Sequence, residues 1–164
     1  MAPPQPLLEL VVSKDADFTV FGPPVENTSK TSYKDTKLVL LIGRGSYGDV
    51  YHATCAGQHV AVKVLPMQPN TAEDIKREVK LQRECNSEKI IKLLDAFEVK
   101  KSTGTDVWVV MELCHAGSTL DVMRQQGKPF TEQQLVWVVA EALRGLDYLH
   151  TERKAIHRDI KVAN

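Results

Sequence analysis

Three glycines at a fixed spacing in the first half of the chain constrain its fold most strongly. Within residues 42–50, which read IGRGSYGDV, these glycines are Gly43, Gly45 and Gly48. A dinucleotide-binding turn with the same GxGxxG frame needs a helix directly after the last glycine and an acidic residue about twenty positions later. Here the sequence predicts two extended segments instead. The first contains Val50, the second is the apolar run at 59–64, and a turn signal at residues 55–58 joins them. The pattern therefore predicts a glycine-rich hairpin flap.

A lysine follows the glycines on the second extended segment. It is Lys63, at the end of the stretch VAVK at residues 60–63. Glycines let a hairpin backbone lie close over phosphate groups, which a side chain would push away. A lysine on the next strand can then reach the phosphate oxygens. Since the sequence has no GxxxxGK[ST] phosphate loop, simple nucleoside triphosphatases are not supported.

A helix after this segment carries a carboxylate that could fix the lysine. After two prolines, Thr71 is a candidate N-cap for a helix over residues 72–85, in which apolar residues recur four apart. Glu78 lies on this helix, fifteen residues after Lys63. The alternative is that Glu78 is one more solvated charge in a charged run, and on the helix alone this alternative is the better one.

A polar stretch of fixed spacing closes the sequence, where residues 157–164 read HRDIKVAN. Its three candidate functional side chains are Asp159, Lys161 and Asn164. In phosphoryl transfer an aspartate can orient the attacking hydroxyl, a lysine can neutralise charge at the γ-phosphate and an asparagine can bind a metal ion. A short irregular loop is needed to aim all three side chains at one point. The alternative is a surface polar cluster that follows a helix.

Together these motifs resemble a eukaryotic serine/threonine protein kinase domain, most closely the germinal-centre branch of the sterile-twenty group. The resemblance covers residues 37–164 with continuous spacing. The closer match is carried by five stretches, at residues 78–81, 90–97, 105–118, 142–150 and 156–161. Lys161, two positions after Asp159, is similar to serine/threonine kinases, since tyrosine kinases usually carry an Ala-Ala-Arg type loop there. The resemblance implies transfer of phosphate from ATP, with Mg²⁺, to serine or threonine hydroxyls of a protein.

The same resemblance implies which residues bind ATP. Six residues would contact the adenine through apolar side chains or the hinge backbone, with Met111 as gatekeeper: Ile42, Val50, Ala61, Met111, Glu112 and Cys114. Ser118 or Asp121 would lie near the ribose, and the three glycines would cover the phosphates. Each apolar position could equally serve core packing, although a bound adenine would itself complete that core.

Catalytic roles are implied by the resemblance as well. The implied catalytic residues are Lys63, Glu78, Asp159 and Lys161, and the implied metal ligand is Asn164. Lys63 and Glu78 would form an ion pair, and Asp159 would be the base. Arg158 resembles the arginine that receives a phosphorylated activation loop in many kinases.

The order of extended and helical patterns predicts an α+β fold of the protein-kinase type. Five strands would form an antiparallel N-lobe sheet with one regulatory helix, followed by the first helices of an incomplete helical C-lobe. The strands are expected at residues 37–43, in two segments through residue 64, near 90–99 and at 107–112.

Two helices are predicted after the sheet. A short one is expected at residues 120–126, and the capping-box pattern TEQQ at 131–134 predicts the start of a long one. Along the long helix apolar residues recur every three or four positions, at Leu135, Val139, Leu143, Leu146 and Leu149. We expect this stripe to lack part of its cover, which predicts poor solubility or a regulatory protein partner.

Three segments are predicted along the chain. They are an irregular extension at residues 1–36, a kinase N-lobe at 37–112, and the hinge with the start of the C-lobe at 113–164. Prolines and scattered polar residues indicate the irregular extension. Within it, residues 7–12 could form a short strand or helix, or neither.

Composition fits one soluble domain. Of the 164 residues 43% are hydrophobic, and 21 basic residues balance 21 acidic ones, so no net charge favours nucleic acid or an anionic membrane. No apolar run has the length of a membrane span. The three cysteines are widely spaced and form no CxxC pair, which argues for a reducing compartment and against a disulfide or zinc framework. We expect a cytoplasmic protein.

Two departures from the resemblance bear on activity. Gln82 stands four residues after Glu78, where the family usually has an apolar residue. No Asp-Phe-Gly follows the HRDIKVAN stretch, so this chain lacks a carboxylate that holds Mg²⁺. We therefore expect a kinase fragment that is inactive alone. The alternative is a non-catalytic nucleotide-binding or scaffolding module, that is, a truncated kinase or pseudokinase.

Overall fold

The computed structural model describes residues 33–45 and 48–164. This part of the chain divides into two compact units. The first contains the described residues up to Glu84 together with Lys92–Leu113, and the second contains Cys85–Ile91 and Cys114–Asn164. The segment predicted at residues 7–12 lies outside the described residues.

The first unit is built on a five-stranded antiparallel sheet. In chain order the strands are β1 (Lys37–Gly45), β2 (Gly48–Cys55), β3 (Gln58–Met67), β4 (Leu93–Lys101) and β5 (Gly104–Glu112). Their spatial order is β1-β2-β3-β5-β4, and all neighbours run antiparallel. One helix, α1 (Ala72–Glu84), connects β3 to β4. The predicted α+β fold, with five antiparallel strands and one helix in this part, is confirmed.

A two-residue turn fixes the register of β2 against β3. Cys55 pairs with Gln58, and Ala56 and Gly57 between them have φ of 48° and 80°. Positive φ at both central positions belongs to the type I′ turn, whose twist matches that of the flanking strands. The tight turn predicted at residues 55–58 is confirmed.

One face of the sheet carries the larger apolar core. Its buried residues come from all five strands and include Leu38, Ala53, Val60, Val62, Phe97, Val99, Trp108 and Val110. Tyr33, in the short 3₁₀ helix Tyr33–Asp35, packs into the same core. The Thr36 hydroxyl donates to the Tyr33 carbonyl over 2.7 Å. Residues 33–36, at the end of the segment predicted to be irregular, therefore belong to the packed body.

Helix α1 packs on the opposite face of the sheet. It buries Ile75 and Val79, which lie four apart and so on one side of the helix. They contact strand residues that include Leu65, Leu93, Ala96, Val107 and Val109. The Thr71 carbonyl accepts the first helical hydrogen bond, from Ile75 N over 3.0 Å. The Thr71 hydroxyl bonds Gln68 instead, so it closes the preceding turn at the predicted helix start.

Strand β4 begins three residues later than its apolar pattern predicts. The apolar residues at 90 and 91 indicate a strand from there, yet the strand starts at Leu93 and residues 88–90 form a turn and bend. Ile90 lies instead beside Gly145 of α3 (Glu132–Thr151). The apolar side chain of Ile90 therefore packs on a helix of the second unit and is not part of a strand.

The second unit contains α2 (Thr119–Gln126) and α3. Thr131 Oγ1 accepts from Gln134 N over 3.3 Å, and Gln134 Oε1 accepts from Thr131 N over 2.9 Å. This reciprocal arrangement is the capping box that the sequence predicted. Residues 85–91 lie along α3, where Asn86 N donates to the Tyr148 hydroxyl over 2.7 Å.

The apolar stripe on α3 is open to solvent over most of its length. Leu135, Val139 and Leu143 are 52%, 46% and 58% exposed, whereas Leu149 is buried. Trp137 on the same helix is 67% exposed. The predicted exposed stripe is therefore present. Within the described ranges, no helix combines the length and apolarity that a membrane crossing requires.

Candidate functional site

A lysine–glutamate pair forms the first part of the candidate site. Lys63 lies on β3 and pairs with Val50 of β2 and Val109 of β5, so the strand is held on both sides. Lys63 Nζ lies 3.0 Å from Glu78 Oε1 on α1, and the two side chains are 25% and 61% exposed. A pair this exposed adds only about 0–1 kcal/mol to stability. Its evident effect is to fix the position of the lysine amine.

Three of the four predicted apolar adenine contacts share a sheet face with Lys63. Val50 pairs with Lys63, and Ala61 pairs with Met111. Because directly paired residues lie on one face and side chains alternate along a strand, all four residues face the same way. Ala61 is buried, while Val50 and Met111 are half-buried. We call Val50, Ala61 and Met111 the apolar wall.

The fourth predicted contact, Ile42, lies at an irregular point of β1. The ladder between β1 and β2 shifts register between Leu41 and Gly43, and Ile42 is the residue left between them. Its side chain is 49% exposed. The register shift keeps Ile42 out of the regular alternation that orders the apolar wall.

The predicted glycines lie where β1 turns into β2. Gly45 pairs with Gly48, and residues 46 and 47 lie outside the described residues. Gly48 has φ of 150°, and a Cβ there would lie 2.2 Å from the carbonyl oxygen of Val64. A Cβ at Gly43 would meet its nearest atom at 3.7 Å, an ordinary contact. The fold therefore requires glycine at position 48 but not at position 43.

The predicted hinge residues are Glu112 and Cys114. Lys92 N donates to Glu112 Oε1 over 2.6 Å, and Glu112 N donates to Lys92 O over 3.1 Å. This reciprocal pair ties the end of β5 to the start of β4 and does not use the Glu112 carbonyl. Cys114 belongs to the second unit, where its carbonyl accepts from Gly117 N over 2.9 Å.

Ser118 and Asp121, which the family resemblance places near a ribose, cap α2. Ser118 Oγ accepts from Asp121 N over 3.2 Å, and Asp121 Oδ2 accepts from Ser118 N over 2.9 Å. Hydrogen bonds from Ser118 hold the pKa of Asp121 below its ordinary value. This structural role was readable as a Ser-x-x-Asp pattern, a variant of the capping box. Contact with a ribose stays a prediction.

The polar loop at residues 157–164 forms the second part of the candidate site. Lys161 Nζ lies 2.8 Å from Asp159 Oδ2. Asn164 Nδ2 donates to Asp159 O over 2.6 Å and to Asp159 Oδ2 over 3.1 Å. Asp159 N in turn donates to His157 Nδ1 over 3.3 Å. The three residues predicted to act together therefore meet at one exposed carboxylate.

These contacts keep Asp159 ionised. The hydrogen bond from Lys161, followed by the one from Asn164, holds the pKa of Asp159 below its ordinary value. Such a carboxylate accepts hydrogen bonds well but is a weak base. The neighbouring Arg158 has φ of 67°, a left-handed conformation that costs a residue with a side chain roughly 1–3 kcal/mol. Strain of this kind is concentrated where loop geometry serves function.

Residues that the sequence did not single out hold this loop in place. The Val162 carbonyl accepts from Thr119 Oγ1 over 2.6 Å and from Leu120 N over 2.8 Å. Thr119 and Leu120 lie in the first turn of α2, where backbone N–H groups have no partner inside the helix. One carbonyl thus satisfies a helix donor and anchors the loop.

Asn164 can supply one oxygen to a metal ion. Because its amide nitrogen donates to Asp159, its Oδ1 is the atom left for a cation. Across the described part of the chain, no group of three His, Cys, Asp or Glu side chains could hold a metal. Mg²⁺ commonly takes one or two protein oxygens and completes its shell with water and substrate phosphates. The residues fit that partial ligation, but they do not form a closed metal cage.

The chain also matches a known protein family. Residues 36–164 match the family model described as "Protein kinase domain". The match covers most of the chain and includes every strand and helix from β1 to α3. Both parts of the candidate site lie inside it.

Proposed function

This chain belongs to the protein kinase family, and we propose that it transfers the γ-phosphoryl group of ATP to serine or threonine hydroxyls of protein substrates. The observation that carries the proposal is the 3.0 Å pair between Lys63 and Glu78, on the face of the sheet that also carries the apolar wall. That face offers a flat apolar surface for a base next to a fixed positive charge for phosphates.

In the sheet unit, the proposed role is to bind the nucleotide. The apolar wall would cover one face of the adenine, and the backbone of Glu112 would bond its edge. Lys63 would contact phosphate oxygens. A lysine amine sits on a flexible four-carbon stem, so the carboxylate of Glu78 restricts where the charge can go. Orientation, more than stability, is the proposed work of this exposed pair.

In the second unit, the proposed role is to position the acceptor hydroxyl. Asp159 is exposed and ionised, and it can accept a hydrogen bond from a serine or threonine hydroxyl. Because its pKa is lowered, the Asp159 carboxylate is a poor proton acceptor before the hydroxyl oxygen bonds to phosphorus. We therefore assign Asp159 mainly to orienting the hydroxyl. Lys161, 2.8 Å away, places positive charge where the transferred phosphate gains negative charge.

A bound Mg²⁺ ion would neutralise phosphate charge during transfer. Asn164 would hold it through Oδ1, because the hydrogen bonds of its amide nitrogen to Asp159 orient the side chain. The same bonds keep Asn164 and Asp159 in a fixed relation. Asn164 therefore has two proposed tasks, to hold the metal and to hold the carboxylate.

The finer assignments rest on particular residues. Lys161, two positions after Asp159, supports serine or threonine as the acceptor. The resemblance of the stretch at residues 105–118 supports the germinal-centre branch of the sterile-twenty group. The wide spacing of the three cysteines, without a CxxC pair, supports a reducing location such as the cytoplasm. The exposed stripe on α3 supports a regulatory protein partner. The alternative of a non-catalytic module gains no support, because Lys63 and Asp159 both retain their charged partners.

Binding of ATP to the purified chain tests the nucleotide half of the proposal. Lys63→Met should weaken ATP binding by about tenfold or more, because a charge-assisted phosphate contact is lost. Adenosine binding should stay unchanged, because it needs only the apolar wall and the hinge. Isothermal titration with ATP and with adenosine, with and without Mg²⁺, separates the two contributions.

The matched control is Lys100→Met, which removes an exposed lysine from β4 of the same sheet. It should bind ATP as the unchanged chain does. Equal ATP affinities for Lys63→Met and Lys100→Met would remove Lys63 from the site, and the nucleotide proposal with it.

Phosphoryl transfer tests the second half in any form of the protein that shows kinase activity. Asp159→Ala should abolish transfer and leave ATP binding intact, since its role is to orient the acceptor. Phosphoamino-acid analysis of the product should give phosphoserine or phosphothreonine. Phosphotyrosine as the main product would refute the proposed acceptor class, and normal turnover by Asp159→Ala would refute its proposed role.

A further inference from the structure

Two histidine side chains face each other on neighbouring strands of the sheet. His52 lies on β2 and His59 on β3, and the distance from His52 Nε2 to His59 Nδ1 is 2.8 Å. The ring centroids are 4.9 Å apart, with an angle of 29° between the ring planes. His59 is exposed and His52 is half-buried, so solvent reaches the pair. The proposed kinase chemistry uses neither ring.

The backbone holds this pair in place before any ligand arrives. His52 is directly opposite Ala61, and His59 is directly opposite Thr54. The two histidines are therefore diagonal neighbours on one sheet face, a spacing that longer side chains can bridge. The tight turn at residues 55–58 keeps this register fixed, so little further conformational entropy is lost when the two rings come together.

A hydrogen bond between two imidazoles places one hydrogen between two ring nitrogens. If that hydrogen moves to the far nitrogen of its own ring, both facing nitrogens present lone pairs, with no net gain or loss of protons. Imidazole nitrogens with their other nitrogen protonated are the usual ligands of first-row transition metals. We propose that His52 and His59 form a two-histidine binding site for Ni²⁺ or Cu²⁺.

The geometry favours this class of ion over others. Metal–nitrogen bonds of about 2.0–2.1 Å to two nitrogens 2.8 Å apart meet close to a right angle, which suits adjacent positions of a square-planar or octahedral ion. Tetrahedral Zn²⁺ needs a wider separation, so it should bind less well. Mg²⁺ prefers oxygen and should not bind. Since no three-residue ligand group occurs among the described residues, water would fill the remaining positions.

Metal bound here would cross-link the β2–β3 hairpin. The same two strands carry Val50, Ala61 and Lys63. An ion that binds the folded pair and not the unfolded chain stabilises the folded state by mass action. The site therefore predicts metal-dependent thermal stability of the sheet unit, independently of whether the chain binds ATP.

Melting in the presence of Ni²⁺ tests the site, on protein from which any polyhistidine tag has been removed. Ni²⁺ should raise the melting temperature of the unchanged chain, and equal concentrations of Mg²⁺ should not. His52→Gln and His59→Gln should each lose the Ni²⁺ response, because binding through a single histidine is about tenfold weaker or more. His115→Gln, which removes an exposed histidine of the second unit, should keep it.

Melting in EDTA and circular dichroism show whether each variant folds. His59 is exposed, so His59→Gln decides the test even if His52→Gln is unstable. An unchanged melting temperature of the original chain with Ni²⁺, or an equal Ni²⁺ response in His59→Gln, would overturn the proposal. With Cu²⁺, electron paramagnetic resonance should show two coupled nitrogens, and one nitrogen or none would also overturn it.

Discussion

In the sheet unit, Lys63 and Glu78 come from a strand and a helix fifteen residues apart, and their 3.0 Å contact exists because α1 packs on the sheet. In the second unit, Asp159 is held by the side chains of Lys161 and Asn164, two and five residues away, and all three residues are exposed. The first contact depends on a buried core. The second depends on local hydrogen bonds within one loop.

This difference separates two kinds of sensitivity to mutation. Loss of packing behind the sheet should displace α1 and with it Glu78, even when no site residue is changed. Loss of apolar side chains on the open face of α3 should leave Asp159, Lys161 and Asn164 in contact. The two units can therefore be compared through matched substitutions, one in each.

The largest expected effect is on the core of the sheet unit. Phe97 is fully buried, and Phe97→Ala should lower the free energy of unfolding by about 3–5 kcal/mol, because it removes buried surface and leaves a cavity. Trp137→Ala removes an even larger side chain that is 67% exposed, and it should cost less than about 0.5 kcal/mol. Chemical denaturation measures both. Similar losses for the two variants would show that Trp137 is covered in solution.

A smaller effect is expected at the start of α3. Thr131→Ala removes the hydroxyl that accepts from Gln134 N, and it should cost about 1 kcal/mol of stability. Thr103→Ala, in the exposed turn between β4 and β5, makes the same chemical change without a cap and should be neutral. If urea titration finds equal stabilities for the two variants, the capping box contributes nothing to this helix.

The smallest effect concerns two aspartates whose pKa values should move in opposite directions. Burial raises the pKa of Asp95, which is 2% exposed, above its ordinary value, although Ala96 N and Arg83 act against this. Hydrogen bonds from Lys161 and Asn164 lower the pKa of Asp159. NMR titration of the carboxyl groups should find one midpoint above the ordinary aspartate value and one below it.

The linked effects on stability also have opposite signs. The contribution of Asp95 is fully present below its ordinary pKa and is lost as pH rises through the raised value. The contribution of Asp159 is present above its ordinary pKa and is lost as pH falls through the lowered value. Lys161→Met should raise the midpoint of Asp159 and leave that of Asp95 in place. A shift of both midpoints would mean that the effect is not local.

The features predicted correctly from sequence are those fixed by nearby residues. The β2–β3 turn, the capping box of α3 and the α1 pattern each lie within a few positions of the residues that specify them. The pairing of Lys63 with Glu78 needed more than local pattern, since solvation of Glu78 was the better reading of the helix alone. Its prediction came from the family resemblance.

The features that sequence reasoning missed depend on contacts between distant positions. Ile90 looks like part of a strand but packs beside α3, and Val162 bonds the start of α2 across 43 residues. Tyr33 lies in the segment predicted to be an irregular extension, yet its side chain packs in the core of the sheet unit. The His52–His59 contact follows from strand register, which no spacing rule along the chain expresses.

Gly48 allows folding and ligand recognition to be separated by a library experiment. The carbonyl of Val64 occupies the space any side chain would need at position 48, whereas position 43 has room for a methyl group. In saturation mutagenesis scored for protein abundance, position 48 should return glycine alone and position 43 should accept alanine. If a second screen for ATP binding then rejects alanine at 43, the cost must come from the nucleotide. Two glycines of one motif would thus be under selection for different reasons.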